Sequence, residues 1–460
     1  MRYISTRGQT APVSFKDAVM MGLATDGGLL LPETIPDVRN RLAEWRSLAY
    51  PALAHEVFSL FIDDIPSRDL MQLVNSAYSS FRHDEVAPVV PLGRTNILEL
   101  FHGPTLAFKD IALQFLGPVF EYILSERNEK LTVLGATSGD TGSAAIQGLR
   151  GRQNIEIFIM HPHQRVSPLQ ELQMTSVLDE NVHNLAIRGT FDDGQSIMKS
   201  LFRDLDFKRD YQLGAINSVN WARVLAQVVY YFYGCYRVLE REGGESVTVS
   251  VPTGNFGDIF AGYIARRMGA PISSLIVATN ENDILSRFFT TGTYSRGTVA
   301  PTLSPSMDIQ VASNFERYLF YHCGSDATKV CALMDEFANS ASLSVPFGPD
   351  GVDSGFQAAA INTEQTLATI AACYQNHGYV LDPHTAVGVA AAQQLAGSGP
   401  SLCLATAHPA KFPDAIARAN PDAPATHPIL DQLKGAKTRC RVIDAKEATV
   451  RETIIQTLAG

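Results

Sequence analysis

A glycine-rich turn at residues 252–258 has the composition of a phosphate-binding loop. Its glycines allow the backbone to turn with its N–H groups pointing inward, and the following helix pattern adds free N–H groups and a positive dipole end. The residues of this predicted phosphate cup are Gly254, Asn255, Phe256, Gly257 and Asp258. We expect the Asp258 carboxylate to face away from the anion and cap the helix. An ordinary turn between a strand and a helix is the alternative interpretation.

A second loop of this kind occupies residues 135–142, again between an apolar run and a helical pattern. Its hydroxyl and N–H donors suit a carboxylate or a phosphate. The residues that we predict to bind an anion here are Thr137, Ser138, Gly139, Asp140 and Thr141. A simple helix N-cap is the alternative. The presence of two such loops in one chain makes the simple interpretation less attractive for both.

Lys109 is the only lysine or arginine between Arg94 and Arg127, and it follows an apolar flank. Burial disfavours the charged form of a lysine, and an uncharged lysine can react with a carbonyl group. A surface lysine on a helix is the alternative. A reactive lysine together with a phosphate cup is the combination that pyridoxal phosphate requires.

Thr406 directly follows the apolar run at 402–405, within the segment 404–412. A hydroxyl group at the end of a strand could hydrogen-bond the ring nitrogen of such a cofactor. A plain connection between a strand and a helix is equally compatible with the composition of this segment.

The elements that must position these residues are apolar runs alternating with helical patterns. The runs lie at 131–134, 155–160, 184–187, 246–251, 274–278 and 402–405. Near-continuous apolar strands alternating with helices predict parallel sheets covered on both faces, with ligands at the carboxyl ends of the strands. The first 84 residues instead contain helix-like runs at 15–23, 48–61 and 69–81, which predict a mainly helical N-terminal domain.

Composition narrows the class of protein. The chain has 460 residues, 37 basic against 47 acidic side chains and a net charge of −10, so a nucleic-acid partner is disfavoured. No apolar run reaches the length of a membrane span, and the N-terminus lacks the apolar stretch of a secretory signal. The six cysteines form no metal-type pair. His161 and His163 have metal-like spacing without a recognisable third ligand, so we predict no metal site. A cytoplasmic enzyme is the expectation.

Taken in order along the chain, these segments resemble the threonine synthase family, a group of pyridoxal-phosphate enzymes with the tryptophan-synthase-β fold. The resemblance covers nearly the whole chain and is closest to the longer type found in fungi and many bacteria. Further segments that carry it lie at 6–8, 25–29, 165–174 and 217–223.

The resemblance implies an α/β fold of type II, with two open, twisted, mostly parallel sheets and an added N-terminal helical domain. We expect the N-terminal domain at 1–84, a large cofactor-binding domain at 85–120 and 211–460, and a small inserted α/β domain at 121–210.

The resemblance also implies roles for individual residues. Lys109 would hold the cofactor covalently and act as the base, the cup at 254–258 would hold its phosphate, and Thr406 would hydrogen-bond its ring nitrogen. The loop from Thr137 to Thr141 would receive the substrate carboxylate. Many relatives in the wider fold group have asparagine at the position of Asp140, which leaves the role of this carboxylate open. The candidate residues for the substrate phosphate are Arg165, Asn217, Ser218 and Arg223.

The activity that the resemblance implies is conversion of O-phospho-L-homoserine and water to L-threonine and phosphate. The alternatives are another pyridoxal-phosphate lyase, acting on serine, threonine or a phosphorylated amino alcohol, and a catalytically silent protein that uses the fold for binding. The silent protein is disfavoured because Lys109 and the glycine cup are intact. We expect a small-molecule substrate, no nucleic-acid or membrane partner, and a monomer or homodimer.

Overall fold

The computed structural model describes residues 1–137, 139–349 and 351–459. Its N-terminal part is mainly helical, as predicted, with one short antiparallel strand pair that was not predicted. The elements are β1 (Tyr3–Ser5), α1 (Phe15–Met21), β2 (Leu30–Pro32), α2 (Leu42–Trp45), α3 (Tyr50–Ser59) and α4 (Ser67–Tyr78).

The chain then enters one sheet, crosses to a second and returns. The elements of this part are β3 (Val89–Leu92), β4 (Thr95–Glu99), α5 (Lys109–Arg127), β5 (Leu131–Ala136), α6 (Asp140–Leu149), β6 (Ile155–Pro162), α7 (Pro168–Thr175), β7 (Val182–Arg188), α8 (Phe191–Arg203), α9 (Leu205–Asp210), β8 (Leu213–Gly214), α10 (Trp221–Glu242), β9 (Val247–Pro252), α11 (Gly257–Met268) and β10 (Ile272–Thr279). The short helix α7 starts at Pro168, where a proline costs no helical hydrogen bond.

The rest of the chain completes both sheets. Its elements are α12 (Ile284–Thr291), β11 (Thr293–Ser295), α13 (Phe315–His322), α14 (Ala327–Ser340), β12 (Ser342–Ser344), β13 (Phe356–Ala360), α15 (Thr363–His377), α16 (Pro383–Leu395), β14 (Ser401–Ala405), α17 (Pro413–Ala419), α18 (Pro428–Gln432), β15 (Arg441–Asp444) and α19 (Glu447–Ala459), together with short 3-10 turns at Pro305–Met307 and Pro409–Lys411.

Two parallel sheets organise the fold, as predicted. The large sheet has the strand order β13-β10-β9-β14-β4-β3, and only β3 runs antiparallel to its neighbour. The small sheet has the order β15-β7-β6-β5-β8 and is entirely parallel. The central strands of both sheets are buried almost throughout, which explains their continuous apolar runs.

The C-terminal segment corrects the predicted domain division. The predicted large domain included all of 211–460, whereas β8 and β15 pair within the small sheet. Val450 and Ile454 of α19 share a buried cluster with Ile187 and Leu201 of the small sheet and its helix. The predicted boundary at residue 120 also falls inside α5, which runs without interruption to Arg127. Local apolar periodicity could not reveal these pairings because they join segments far apart in the chain.

The N-terminal helices support the helices that carry the site. Trp45 packs against Phe232, Phe58 against Phe115, and Phe61 against Trp221, with ring centroids 5.5, 4.4 and 6.0 Å apart. Phe115 belongs to α5, and Phe232 and Trp221 belong to α10. The N-terminal part therefore fixes the two helices whose first turns contain Lys109 and Arg223. Among the described residues, no helix combines the length and apolar character needed to cross a bilayer.

Candidate active site

Lys109 is the first residue of α5, at the end of a loop held by a buried carboxylate. Asp110 accepts hydrogen bonds from the Thr105 N–H at 2.7 Å and the Thr105 hydroxyl at 2.9 Å. The Phe108 N–H donates to the Thr406 carbonyl at 2.8 Å. These contacts bring Lys109 and Thr406, which the sequence separates widely, to the carboxyl edge of the large sheet.

Removal from water favours the neutral form of Lys109. Burial lowers its pKa to about 8; Asp140 acts in the opposite direction, and the cations of Lys411 and Arg223 add to the lowering. Lys109 is therefore a stronger candidate for a nucleophile or a base than an ordinary surface lysine.

The predicted phosphate cup lies between β9 and α11. Phe256 has a left-handed φ of 64° and is buried, which lets the loop turn tightly into the helix. The carbonyl of Asn255 accepts hydrogen bonds from the backbone and side-chain N–H groups of Asn314, at 3.0 and 3.2 Å. A Cβ at Gly254 would lie 2.6 Å from the Ser306 carbonyl oxygen, so only glycine fits there. The first N–H groups of α11 have no acceptor inside the helix and remain available to an anion.

The Asp258 carboxylate binds to α10 and makes no hydrogen bond that caps its own helix. Its carboxylate accepts hydrogen bonds from the hydroxyl groups of Tyr230 and Tyr231, at 2.6 and 2.8 Å. Burial raises the pKa of Asp258 to about 6, and the two tyrosine hydrogen bonds oppose this. Asp258 thus joins α11 to α10.

The loop between β5 and α6 uses part of its polar groups internally. The Thr137 hydroxyl oxygen accepts hydrogen bonds from the N–H groups of Gly139 and Gly142, both at 3.0 Å. Thr141 is half-buried in the first turn of α6. Ser138, also predicted to bind the substrate, lies outside the described residues. The Thr137 hydroxyl therefore shapes the loop.

Asp140 is the charged residue of this loop, and its carboxylate has two partners. The ammonium group of Lys411 lies 2.6 Å from Asp140 Oδ1, and the Gln170 side-chain amide donates to the same oxygen at 2.9 Å. Burial by itself would raise the pKa of Asp140, but the charges of Lys411 and Lys109 hold it well below its usual range. Asp140 is therefore an acceptor, ionised at neutral pH, in a buried position.

Arg223 in the first turn of α10 is a buried cation whose charge acts on Lys109. It is 4 % exposed, and within the described part of the chain its Nε and Nη1 atoms have no hydrogen-bond partner. A buried, unpaired guanidinium group costs free energy, so its retention points to an anionic ligand. Burial lowers its pKa to about 10, which leaves it charged at neutral pH.

The other predicted phosphate ligands divide into two groups. The Ser218 carbonyl lies 3.9 Å from the position of a Cβ at Gly257, and Asn217 is half-buried with an unpaired Oδ1 atom among the described residues. Arg165, in contrast, is exposed in the loop after β6, where its charge acts on Asp193. The structure thus places Ser218 beside the cup and leaves Arg165 exposed to solvent.

Thr406 is buried at the end of β14. Its N–H donates to the Thr385 hydroxyl at 3.2 Å, and Thr385 in turn contacts Asp382. These hydrogen bonds hold the carboxyl end of β14, and with it Thr406, next to Lys109.

These groups fit pyridoxal phosphate. A lysine with a lowered pKa can react with an aldehyde, a glycine cup at a helix N-terminus can bind a phosphate, and a strand-end threonine can hydrogen-bond a ring nitrogen. The observation that tests the fit is the cup itself, where a Cβ at Gly254 would collide with the Ser306 carbonyl oxygen and the first N–H groups of α11 have no acceptor inside the helix.

Comparisons with known proteins also indicate a pyridoxal-phosphate enzyme. Residues 2–78 match the family described as the threonine synthase N terminus, 97–406 match the pyridoxal-phosphate-dependent enzymes, and 385–454 match the C-terminal part of threonine synthase. The threonine synthase of Pseudomonas aeruginosa is 48 % identical, with 99 % of this chain and 98 % of that protein covered. The chain belongs to the threonine synthase family.

Solved structures of threonine synthases have the same fold. The pyridoxal-phosphate-bound enzyme from Brucella melitensis superposes with a TM-score of 0.95 at 45 % identity, covering 99 % of both chains. The yeast enzyme gives a TM-score of 0.93 at 42 % identity, covering 100 % of this chain and 99 % of that one. This chain is accordingly a pyridoxal-phosphate-dependent enzyme of the threonine synthase type.

Three residues of this threonine synthase site were missed from the sequence: Lys411, Gln170 and Asn314. Lys411 lay in the same segment as Thr406, and its proximity was the only available signal. Gln170 lay in a segment that carried the family resemblance. Asn314 had no signal, because its role depends on contact with Asn255, far from it in the chain.

Gly139 gives a prediction about the shape of this loop. Its φ is +152°, and a Cβ there would lie 2.3 Å from the Gln170 side-chain oxygen. We expect Gly139→Ala to lower the free energy of unfolding by about 1–3 kcal/mol and to displace Gln170 from Asp140. Urea unfolding measures this, with Gly399→Ala as the control because no atom lies within 4 Å of a Cβ at that exposed position. Equal stability of the two variants would contradict the prediction.

Proposed function

We propose that the protein catalyses the conversion of O-phospho-L-homoserine and water to L-threonine and inorganic phosphate. The observation that carries this proposal is the match to threonine synthases along almost the entire chain, with N-terminal and C-terminal parts specific to that family. The buried cationic site around Lys109 supports it, because both the cofactor and the proposed substrate carry a phosphate.

In this proposal Lys109 holds the cofactor, residues 254–258 bind the cofactor phosphate through backbone N–H groups, and Thr406 hydrogen-bonds the ring nitrogen. A threonine hydroxyl cannot keep that nitrogen protonated as a carboxylate would. When bound, the cofactor supplies the electron sink that stabilises a carbanion at the substrate.

Lys109 is also the proposed base. With a pKa of about 8, a substantial fraction of its side chain is neutral near physiological pH, so Nζ can accept the proton from the substrate Cα. A second proton then leaves Cβ, and phosphate departs from Cγ. Cγ next gains a proton, a water molecule adds its OH at Cβ and gives its other proton to a base, and a proton returns to Cα. The residues near the reacting atoms must therefore hold and return protons while excluding water from the early steps.

The substrate is held at its two charged ends. The loop from Thr137 to Thr141 receives the carboxylate through donors other than the Thr137 hydroxyl and the Gly139 N–H, which bond to each other. The leaving phosphate is bound by Arg223, Asn217 and Ser218. Arg165 is exposed and would have to move inward to bind this phosphate. Arg223 is the strongest of these, because it is a buried cation whose Nε and Nη1 lack a partner among the described residues.

The decisive experiment is an assay of the purified protein with O-phospho-L-homoserine, measuring threonine and phosphate in parallel. We expect equal amounts of both products. Phosphate release with a keto acid in place of threonine would indicate another phospho-lyase. Turnover of serine or threonine alone would indicate an ammonia-lyase, and no turnover with full cofactor binding would indicate a silent binding protein.

The proposal includes a cytoplasmic enzyme that acts as a monomer or a homodimer. The proposed location rests on six cysteines that the structure leaves unpaired. Sedimentation of the holoenzyme would give the oligomeric state.

A further inference from the structure

The site contains a second lysine, Lys411, which is more deeply buried than Lys109. The Lys411 side chain is fully buried, and its ammonium group contacts Asp140 Oδ1 at 2.6 Å and the Thr105 carbonyl at 2.8 Å. It lies in the 3-10 turn after β14, in the part of the chain matched by the C-terminal threonine synthase family and beyond the part matched by the general pyridoxal-phosphate enzymes.

These contacts join three parts of the fold. Lys411 follows a strand of the large sheet, Asp140 begins α6 on the small sheet, and Thr105 belongs to the loop before Lys109. Gln173 of α7 also donates to the Thr105 carbonyl, at 3.1 Å. Lys411 is thus the central member of a buried network that links the two sheets at the site.

The same network leaves Lys109 without a carboxylate partner. The charged groups that face Lys109 are Asp140, Lys411, Arg223 and Asp110. Asp140 is engaged by Lys411 and Gln170, and Asp110 is engaged by Thr105. Lys109 forms no ion pair within 4.0 Å in the described part of the chain, although two carboxylates act on its charge.

We propose that Lys411 is a positioning residue that binds the Asp140 carboxylate and thereby leaves the Lys109 amine free to act as nucleophile and base. The inference rests on the proposed function of Lys109 and does not depend on the identity of the substrate. Without the Lys411 charge, Asp140 would become an unpaired anion beside Lys109, and the amine would be held in its protonated form.

The charged groups around Asp140 determine whether the pKa of Lys109 rises or falls when Lys411 is replaced. Lys411, Lys109 and His384 face its carboxylate, and Lys411 is the cation in direct contact. Replacing Lys411 removes a positive charge near Lys109 and leaves the Asp140 carboxylate without its ammonium partner. Both changes raise the pKa of Lys109. Removing the Asp140 carboxylate has the opposite effect.

The test is the pH dependence of pyridoxal phosphate uptake by the full-length protein after its cofactor has been removed. Uptake followed by visible absorbance requires the neutral Lys109 amine, so the rate of the unaltered protein should rise through a midpoint near pH 8. We expect Lys411→Met to shift this midpoint upward by about one pH unit. Asp140→Asn should shift it downward, and the double variant should return it toward the original value.

Two controls separate charge from packing. Lys411→Arg keeps the charge and should leave the midpoint in place, as should Lys434→Met at an exposed site. A Lys411→Met variant with lower thermal stability and an unshifted midpoint would overturn the inference. If Lys411→Met does not fold, an unshifted or raised midpoint in Asp140→Asn would overturn it instead. Failure to form threonine in the unaltered protein would refute the proposed function while leaving these shifts interpretable.

Discussion

Replacing Lys109 with alanine is expected to abolish covalent attachment of pyridoxal phosphate and to lower threonine formation by at least about 10²-fold. Alanine removes the amine that the proposal uses both to hold the cofactor and to move the Cα proton. Borohydride reduction followed by mass measurement of the intact chain reports attachment directly, without relying on activity.

A second lysine, outside the site, provides the control for Lys109→Ala. Lys130→Ala removes an exposed lysine beyond the end of α5 and should keep both attachment and activity. A cofactor adduct retained in Lys109→Ala would contradict the assignment. Peptide mapping would then show whether Lys411, the other lysine in the site, had been the point of attachment.

Replacing Arg223 with methionine is expected to raise KM for O-phospho-L-homoserine by about 10–100-fold. A hydrogen bond to a charged group contributes about 1.5–3 kcal/mol, and about 1.4 kcal/mol corresponds to a tenfold change in affinity. Because the Arg223 guanidinium is buried with two unpaired nitrogens among the described residues, its removal should leave the thermal stability of the ligand-free protein unchanged or higher. A ligand-binding role and a structural role therefore predict opposite effects on stability.

Arg317 is the matched control. It is also fully buried, but it donates to the carbonyls of Leu30 and Val219 and to the side chain of Asn314. Arg317→Met should lower thermal stability clearly, because those acceptors would remain buried without a donor. If Arg223→Met lowered stability to the same degree with an unchanged KM, Arg223 would be structural. A loss of cofactor affinity with an unchanged KM would assign Arg223 to the cofactor phosphate.

Much of the fold was predictable because its signals are local. The apolar runs at 131–134, 155–160 and 402–405 became β5, β6 and β14 with ends shifted by no more than a few residues. Proline at the start of α7 and the glycine turn before α11 also depend only on neighbours in the chain.

The domain boundaries could not be obtained in this way. Arg441 pairs with Leu185 in the small sheet, and α19 packs beside α8. A short strand of four residues, two of them charged and only Ile443 buried, carries no local signal of its parallel partner. Parallel pairing between distant segments depends on the assembled sheet.

The candidate site also combines features that depend on local sequence with features that depend on distant contacts. By itself the sequence determined which groups were available: a lysine after an apolar flank, two glycine-containing loops before helices, and a threonine at a strand end. These follow from turn chemistry and periodicity, which act over a few residues. Only the tertiary structure decided that Lys411 binds the Asp140 carboxylate, that Arg223 is buried with two nitrogens unpaired among the described residues, and that Arg165 is exposed. Coulomb interactions and desolvation depend on distance in space and on exclusion of water, so the proton affinities of this site arise only when the two sheets come together.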